Sequence, residues 1–177
     1  LWIALESLTR TKMFKNIIDN VRESVPAAMS LRYLYRITRN FIDDCERCQI
    51  PFFHKDFVGI RNKQALVKKA LVLLQDESSF EKISEQCSSV NTLLGYRAQE
   101  VHKIATDIKE AKGKIEQHHE HISWQVQRLY RIRNEITHTA FQEDSSLIVY
   151  ISHLYQYLTT LISEIVIYLV EKNHFHH

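Results

Sequence analysis

The run Arg128-Leu129-Tyr130-Arg131-Ile132-Arg133-Asn134-Glu135-Ile136-Thr137-His138 puts an arginine, a side-chain amide and a histidine on what reads as one helix. These residue types suit phosphodiester chemistry. Metal-free cleavage of RNA needs a base for the 2′-hydroxyl proton, an acid for the 5′-oxygen leaving group, and positive charge for the pentavalent phosphorane. Histidine exchanges protons near neutral pH and can fill either acid-base role. The arginine fork matches two non-bridging oxygens as negative charge builds on them. Asn134 would orient His138 or hold a phosphate oxygen.

At roughly 100° per residue, Ile122, Val126, Leu129, Ile132, Ile136 and Ala140 form one apolar arc, and Arg133 falls near its middle. Asn134 and His138, four apart, share a flank about a quarter turn or more away. A permanent cation on the buried side is costly unless a carboxylate, a phosphate or the mouth of a cleft pairs with it. Such conflicts between patterning and charge concentrate at functional sites. The plainer account is a structural arginine bridging to an acid on a neighbouring helix, with Glu6 as the partner.

The string Arg133-Asn134-x-x-x-His138, preceded by Tyr130 and Arg131 and followed by Thr139-Ala140, resembles the signature of HEPN domains. The opening Leu1-Trp2-Ile3-Ala4-Leu5-Glu6-Ser7-Leu8 looks like the first helix of the Apea-like HEPN branch. The two matches bracket most of the chain, and Ser24 to Val101 carries no matching motif. The resemblance implies an all-α bundle, with a long motif-bearing helix followed by a C-terminal amphipathic helix. It implies pairing about a two-fold axis, so that two copies of the motif meet in one composite cleft. It further implies a metal-independent endoribonuclease of a toxin or antiviral system, with no cofactor and RNA as partner. Arg133, Asn134 and His138 are then the catalytic set, with Glu6, Tyr130 and Arg131 in support. Some relatives of that kind have lost catalysis and act as binding modules. The activity would ignore chelators, leave a 2′,3′-cyclic phosphate and spare DNA.

Composition agrees with a helical chain. The 177 residues are 45% hydrophobic with 3 Gly and 2 Pro, enough for one buried domain and poor in turn formers. A net charge of +2 gives no strong overall attraction to nucleic acid, so local clusters must steer any RNA. Candidates are Arg128, Arg131 and Arg133, then Lys109, Lys112 and Lys114, and Lys68-Lys69, each otherwise a solvated face. The chain starts at Leu1 in a helix-like stretch without a secretory n-region, which reads as a domain taken from, or C-terminal in, a longer protein. An odd cysteine count points to a reduced, cytoplasmic setting.

The pattern predicts a helix over 1–23, interrupted near Thr9 to Lys12, and a second over 27–49 begun by Pro26 and stopped by Pro51. Phe52-Phe53-His54-Lys55-Asp56 reads as a connector. A third helix covers 60–75, Asp76 to Phe80 reads as a polar link, and a short helical piece reaches Cys87-Ser88-Ser89. A long helical pattern follows over 90–140, able to bend at Gly113 or around His118 to His121. Asp144-Ser145-Ser146 reads as the N-cap of a last helix ending near Lys172. There Leu147, Ile151, Leu154, Leu158, Leu161, Ile165 and Leu169 alternate steps of three and four between polar residues, which favours a core or dimer-seam helix over a membrane span.

Cys45-Glu46-Arg47-Cys48 has the spacing of half a zinc or redox site, but Cys87 is isolated in sequence, so these read as incidental thiols. His118, His119 and His121 with Glu116 and Glu120 read as a solvated face before a metal site. His174-Phe175-His176-His177 reads as a terminal tail. The chain has no glycine-rich phosphate loop, no Gly-x-Ser-x-Gly and no paired carboxylates of a two-metal nuclease. The competing expectations are a noncatalytic helical module that binds RNA, a nucleotide or a protein to control a further domain of the same chain, and a helical dimerisation scaffold.

Overall fold

A computed structural model describes residues 1–12, 14–51, 57, 59–60, 62–138 and 147–174. These residues form helices and no strand: α1 (Trp2–Thr9), α2 (Ile17–Ser30), α3 (Tyr33–Arg47), α4 (Lys63–Gln75), α5 (Glu77–Val90), α6 (Thr92–Thr106), α7 (Ile108–His138) and α8 (Leu147–His174). The chain is all-α. It divides into two compact units, one of Leu1–Leu31 with Gln117–His177 and one of Arg32–Glu116.

In the first unit the expected break after Thr9 separates α1 from α2. Buried Asn20 stabilises the turn by donating to the carbonyls of Phe14 and Asn16 and taking the Thr11 hydroxyl on its own oxygen. Pro26 does not open a helix. It lies buried inside α2, and the chain breaks instead between Ser30 and Tyr33. Proline forbids a hydrogen bond to the preceding turn but not a helical φ, and burial against neighbours holds the helix through it. Leu31 is 72% exposed at that break. The core is built from Trp2 and Leu5 of α1, Val21, Val25 and Met29 of α2, Ile122, Val126 and Leu129 of α7, and Tyr157 and Leu161 of α8.

The buried Tyr157 donates its hydroxyl to the side-chain oxygen of Gln125. Burial pushes its phenol up to about 12 from the usual 10.0. A phenol kept neutral by the fold stabilises it fully below the unfolded value near pH 10, and that contribution is lost as pH rises toward 12. Up to about 3 kcal/mol of stability is involved, at 1.36 kcal/mol per pH unit of separation. Denaturant unfolding followed by helical circular dichroism should therefore lose stability from pH 10 upward, and Tyr157→Phe should flatten that loss. An equally steep loss in the variant would assign it to other groups.

In the second unit, α3 ends at Arg47 because Gln49 adopts a left-handed conformation at φ 55° and the Ile50 N–H reaches back to the Cys45 carbonyl at 3.0 Å. That closure tucks Ile50 into the core. Asp76 to Phe80 forms no polar link. Asp76 caps α5 by accepting from the Ser79 N–H at 2.9 Å, and these bonds to Ser79 hold its carboxyl below the usual range. The long pattern over 90–140 divides at neither Gly113 nor His118. The extended Asp107 splits it and accepts from the Lys109 N–H at 2.8 Å to start α7. Asp and Asn side chains replace the missing amide partners of a first turn, which lets helices restart without glycine or proline. Asn91 does the same for α6.

Phe41, Ile42, Leu66, Ala70, Leu74, Ile83, Leu94, Ala98 and Val101 form this unit's core. Cys87 is not isolated. Its Sγ lies 3.9 Å from that of Cys45, both fully buried, while Cys48 is exposed. The bond to Cys87 and burial push the Cys45 thiol above its usual range. The same contact lowers the Cys87 thiol, so burial is what shields both; a maleimide should label Cys48 alone in the native chain and all three cysteines in denaturant, counted by intact mass. Rapid native labelling of Cys45 or Cys87 would show that this core opens readily.

Candidate active site

Buried Ile122, Val126 and Leu129 anchor the middle of α7, and cover then thins toward its C-terminus. Ile132 is half-buried and Ile136, expected in the core, is 41% exposed. Arg133 and Asn134 are half-buried, and Arg131 and His138 are exposed. The motif thus sits where a core-facing helix emerges. Ala140 and the Asp144-Ser145-Ser146 cap fall outside the described residues, as do the 52–56 connector and the tail from Phe175 onward.

The expected ion pair from Glu6 to Arg133 is not formed. Glu6 accepts from the Trp2 indole N–H at 2.6 Å, one turn away on α1. Arg133 donates to the side-chain oxygen of Asn134 at 3.0 Å, and Thr137 donates its hydroxyl to the Arg133 carbonyl at 2.7 Å. Among the described residues no carboxylate pairs with Arg133. A half-buried guanidinium is therefore oriented by a neutral amide, and among the described residues no acid compensates its charge. The indole wins Glu6 because an i, i+4 partner on the same helix costs little chain entropy to engage.

Tyr130, expected in support of the catalytic set, is half-buried with its ring tilted against Trp2 at 5.8 Å between centroids. It belongs largely to the packing of α1 on α7. Arg133 and His138 share the helix but not a direction. Five residues rotate the chain by roughly 140° and advance it about 7.5 Å.

Of the basic clusters, Lys114 is bound to Glu100 at 2.6 Å, which raises its ammonium pKa, and Lys112 lies 3.6 Å from Glu116 on the exposed helix face. Lys69 stands over the Phe57 ring. Arg128 is exposed, with its guanidinium 5.5 Å from the Tyr150 ring centre and donating to the Tyr150 hydroxyl at 3.0 Å. The two side chains border a cavity of about 220 Å³ that also involves Gln125, Leu129, Val149 and His153. His121 sits 2.9 Å from the Gln125 amide nitrogen. Among the described residues no three His, Cys, Asp or Glu side chains gather to hold a metal ion.

The second unit holds a larger cleft, about 640 Å³, between α3 and α6. Asp44 on its wall accepts from Arg47 at 2.6 Å and from Arg97, and the Glu100–Lys114 pair lines it as well. No residue of this cleft was singled out as a site by sequence except Lys114, because its lining comes from three helices, α3, α6 and the start of α7.

α8 presents two apolar faces. Tyr157 and Leu161, with Leu154, Leu158 and Ile165, pack into the first unit's core. Ile148, Ile151, Tyr155, Ile162, Val166 and Leu169 make a second stripe, each more than 40% exposed, at steps of three, four and seven. Ile151 and Leu169, expected in a core or dimer-seam row, belong to this outer row. Among the described residues no helix is long and apolar enough to cross a membrane.

No family model matches the chain, and comparison with curated proteins and with solved structures finds no match.

Proposed function

We propose that the protein is a metal-independent endoribonuclease of HEPN type, with Arg133 as phosphate clamp, His138 as acid-base group and Asn134 as the residue that orients the clamp. The Arg133 guanidinium, held by Asn134 and paired with no carboxylate among the described residues, carries this reading. A half-buried cation held by an amide rather than a carboxylate is poised for an anionic ligand, and a phosphodiester fits its fork.

The divergence of Arg133 and His138 around α7 favours a site completed by a second copy, whose histidine meets the first copy's arginine. The outer stripe of α8 gives such a pair an apolar seam about 31 Å long, at 1.5 Å per residue from Ile148 to Leu169. In that arrangement one His138 takes the 2′-hydroxyl proton and the other protonates the departing 5′-oxygen, while Arg133 neutralises the phosphorane. A role in toxin or antiviral defence rests on the resemblance alone, and a cytoplasmic setting on the odd cysteine count.

The test is cleavage of a labelled RNA by the purified chain with EDTA present. Cleavage with a 2′,3′-cyclic phosphate end, and none of the matching DNA, supports the reading. Absence of cleavage by the dimer would overturn it. The cleft between α3 and α6 favours a second reading, a regulatory module for a small polar ligand, since its volume lies within the usual range for ligand pockets.

A further inference from the structure

Trp124 is 64% exposed on the face of α7 opposite the core. So large an indole left in water is uncommon, and it stands in a polar row rather than an apolar patch. Residues 117, 121, 124, 128, 131, 135 and 138 follow one another at alternating steps of four and three, which keeps them along one side of the helix. Besides Trp124 the row offers Arg128, Arg131, His121 and His138, with Glu135 as its acid. Arg128 is fixed by its stacking on Tyr150 and by the hydrogen bond to the Tyr150 hydroxyl, so its cation is presented at the edge of the 220 Å³ cavity. From Trp124 to His138 the row spans about 21 Å.

We infer that this row is a track for single-stranded RNA, with Trp124 stacking an unpaired base while Arg128 and Arg131 hold the phosphates that lead the strand to His138. An exposed aromatic flanked by cations is how single strands are held without reading their sequence. A duplex keeps its bases stacked on one another and offers the indole nothing. The inference rests on the ribonuclease reading for the strand's destination, although the binding itself does not.

The experiment uses the His138→Ala chain, so that RNA is bound but not consumed, and a fluorescent single-stranded RNA read by anisotropy against the same sequence as a duplex. The single strand should bind more tightly and quench tryptophan fluorescence. Trp124→Ala should weaken binding about 10-fold and remove most of the quenching, and Trp124→Phe should retain most of the affinity. Arg128→Gln and Arg131→Gln should each lower the dependence of log affinity on log salt by roughly 0.7. Unchanged affinity in Trp124→Ala, or equal binding of the duplex, would overturn the track. So would a Trp124→Ala chain that changes only its sedimentation, since the indole would then face another protein chain. RNA binding through Trp124 without cleavage by the native chain would leave the track standing and remove the nuclease reading. Cleavage that ignores Trp124 would do the reverse.

Discussion

His138→Ala is expected to lower RNA cleavage by about 10²- to 10⁴-fold, the usual contribution of a positioned acid-base group. Because His138 is exposed on the last turn of α7, the substitution should leave stability within about 0.5 kcal/mol of the native chain. Initial rates on labelled RNA, paired with thermal unfolding, separate the two effects. Arg133→Lys completes the argument, since lysine keeps the charge and loses the planar fork. Cleavage should fall steeply in that variant as well. Native rates in His138→Ala would remove this histidine from the chemistry, and native rates in Arg133→Lys would reduce the arginine to a diffuse charge.

The second large effect concerns the outer stripe of α8. Ile162 and Val166 are 43% and 52% exposed, so glutamates there meet water in a monomer and cost the fold little. In a dimer seam the same pair would bury four carboxylates, two from each copy, without partners. Ile162→Glu with Val166→Glu should therefore convert a dimer into a monomer by sedimentation velocity, with helix content retained. If the shared cleft takes a His138 from each copy, cleavage should fall about 100-fold or more in step with dissociation. A chain that is already monomeric at micromolar concentration, or a monomeric variant that cleaves normally, would sink the shared site.

Much of the helical architecture was legible because apolar spacing is a local property. Within the arc on α7, Ile122, Val126 and Leu129 are buried as the period demands, while Ile132 is half-buried and Ile136 exposed. Helix boundaries were less legible. Pro26 and Gly113, the residues with the strongest reputation as breakers, lie inside helices, whereas Asp76, Asn91 and Asp107 make the divisions. A capping side chain acts through a backbone angle that the pattern of polar and apolar residues does not encode.

The candidate site was legible in its residue types but not in its partners. Arg133 stood out by breaking an apolar arc, which any wheel displays. That it would turn to Asn134, and that Glu6 would go to Trp2, depended on side chains competing at short range. Trp124 was overlooked for the opposite reason. It breaks no pattern in the polar half of α7, and only its exposure among cations marks it.

The sequence by itself determined an all-helical chain, the helix that bears Arg133 and His138, and the apolar rows that bury it, since each follows from spacing along a single helix. Tertiary structure decided which rows were covered. Helix periodicity marks Ile151 and Leu169 as apolar in the same way as Leu161, but neighbours cover only Leu161. Only the fold brought Cys45 against Cys87, set Tyr150 beneath Arg128 and turned the Arg133 guanidinium to Asn134. Such pairings depend on where distant segments come to lie, and burial is a property of the neighbours as much as of the residue.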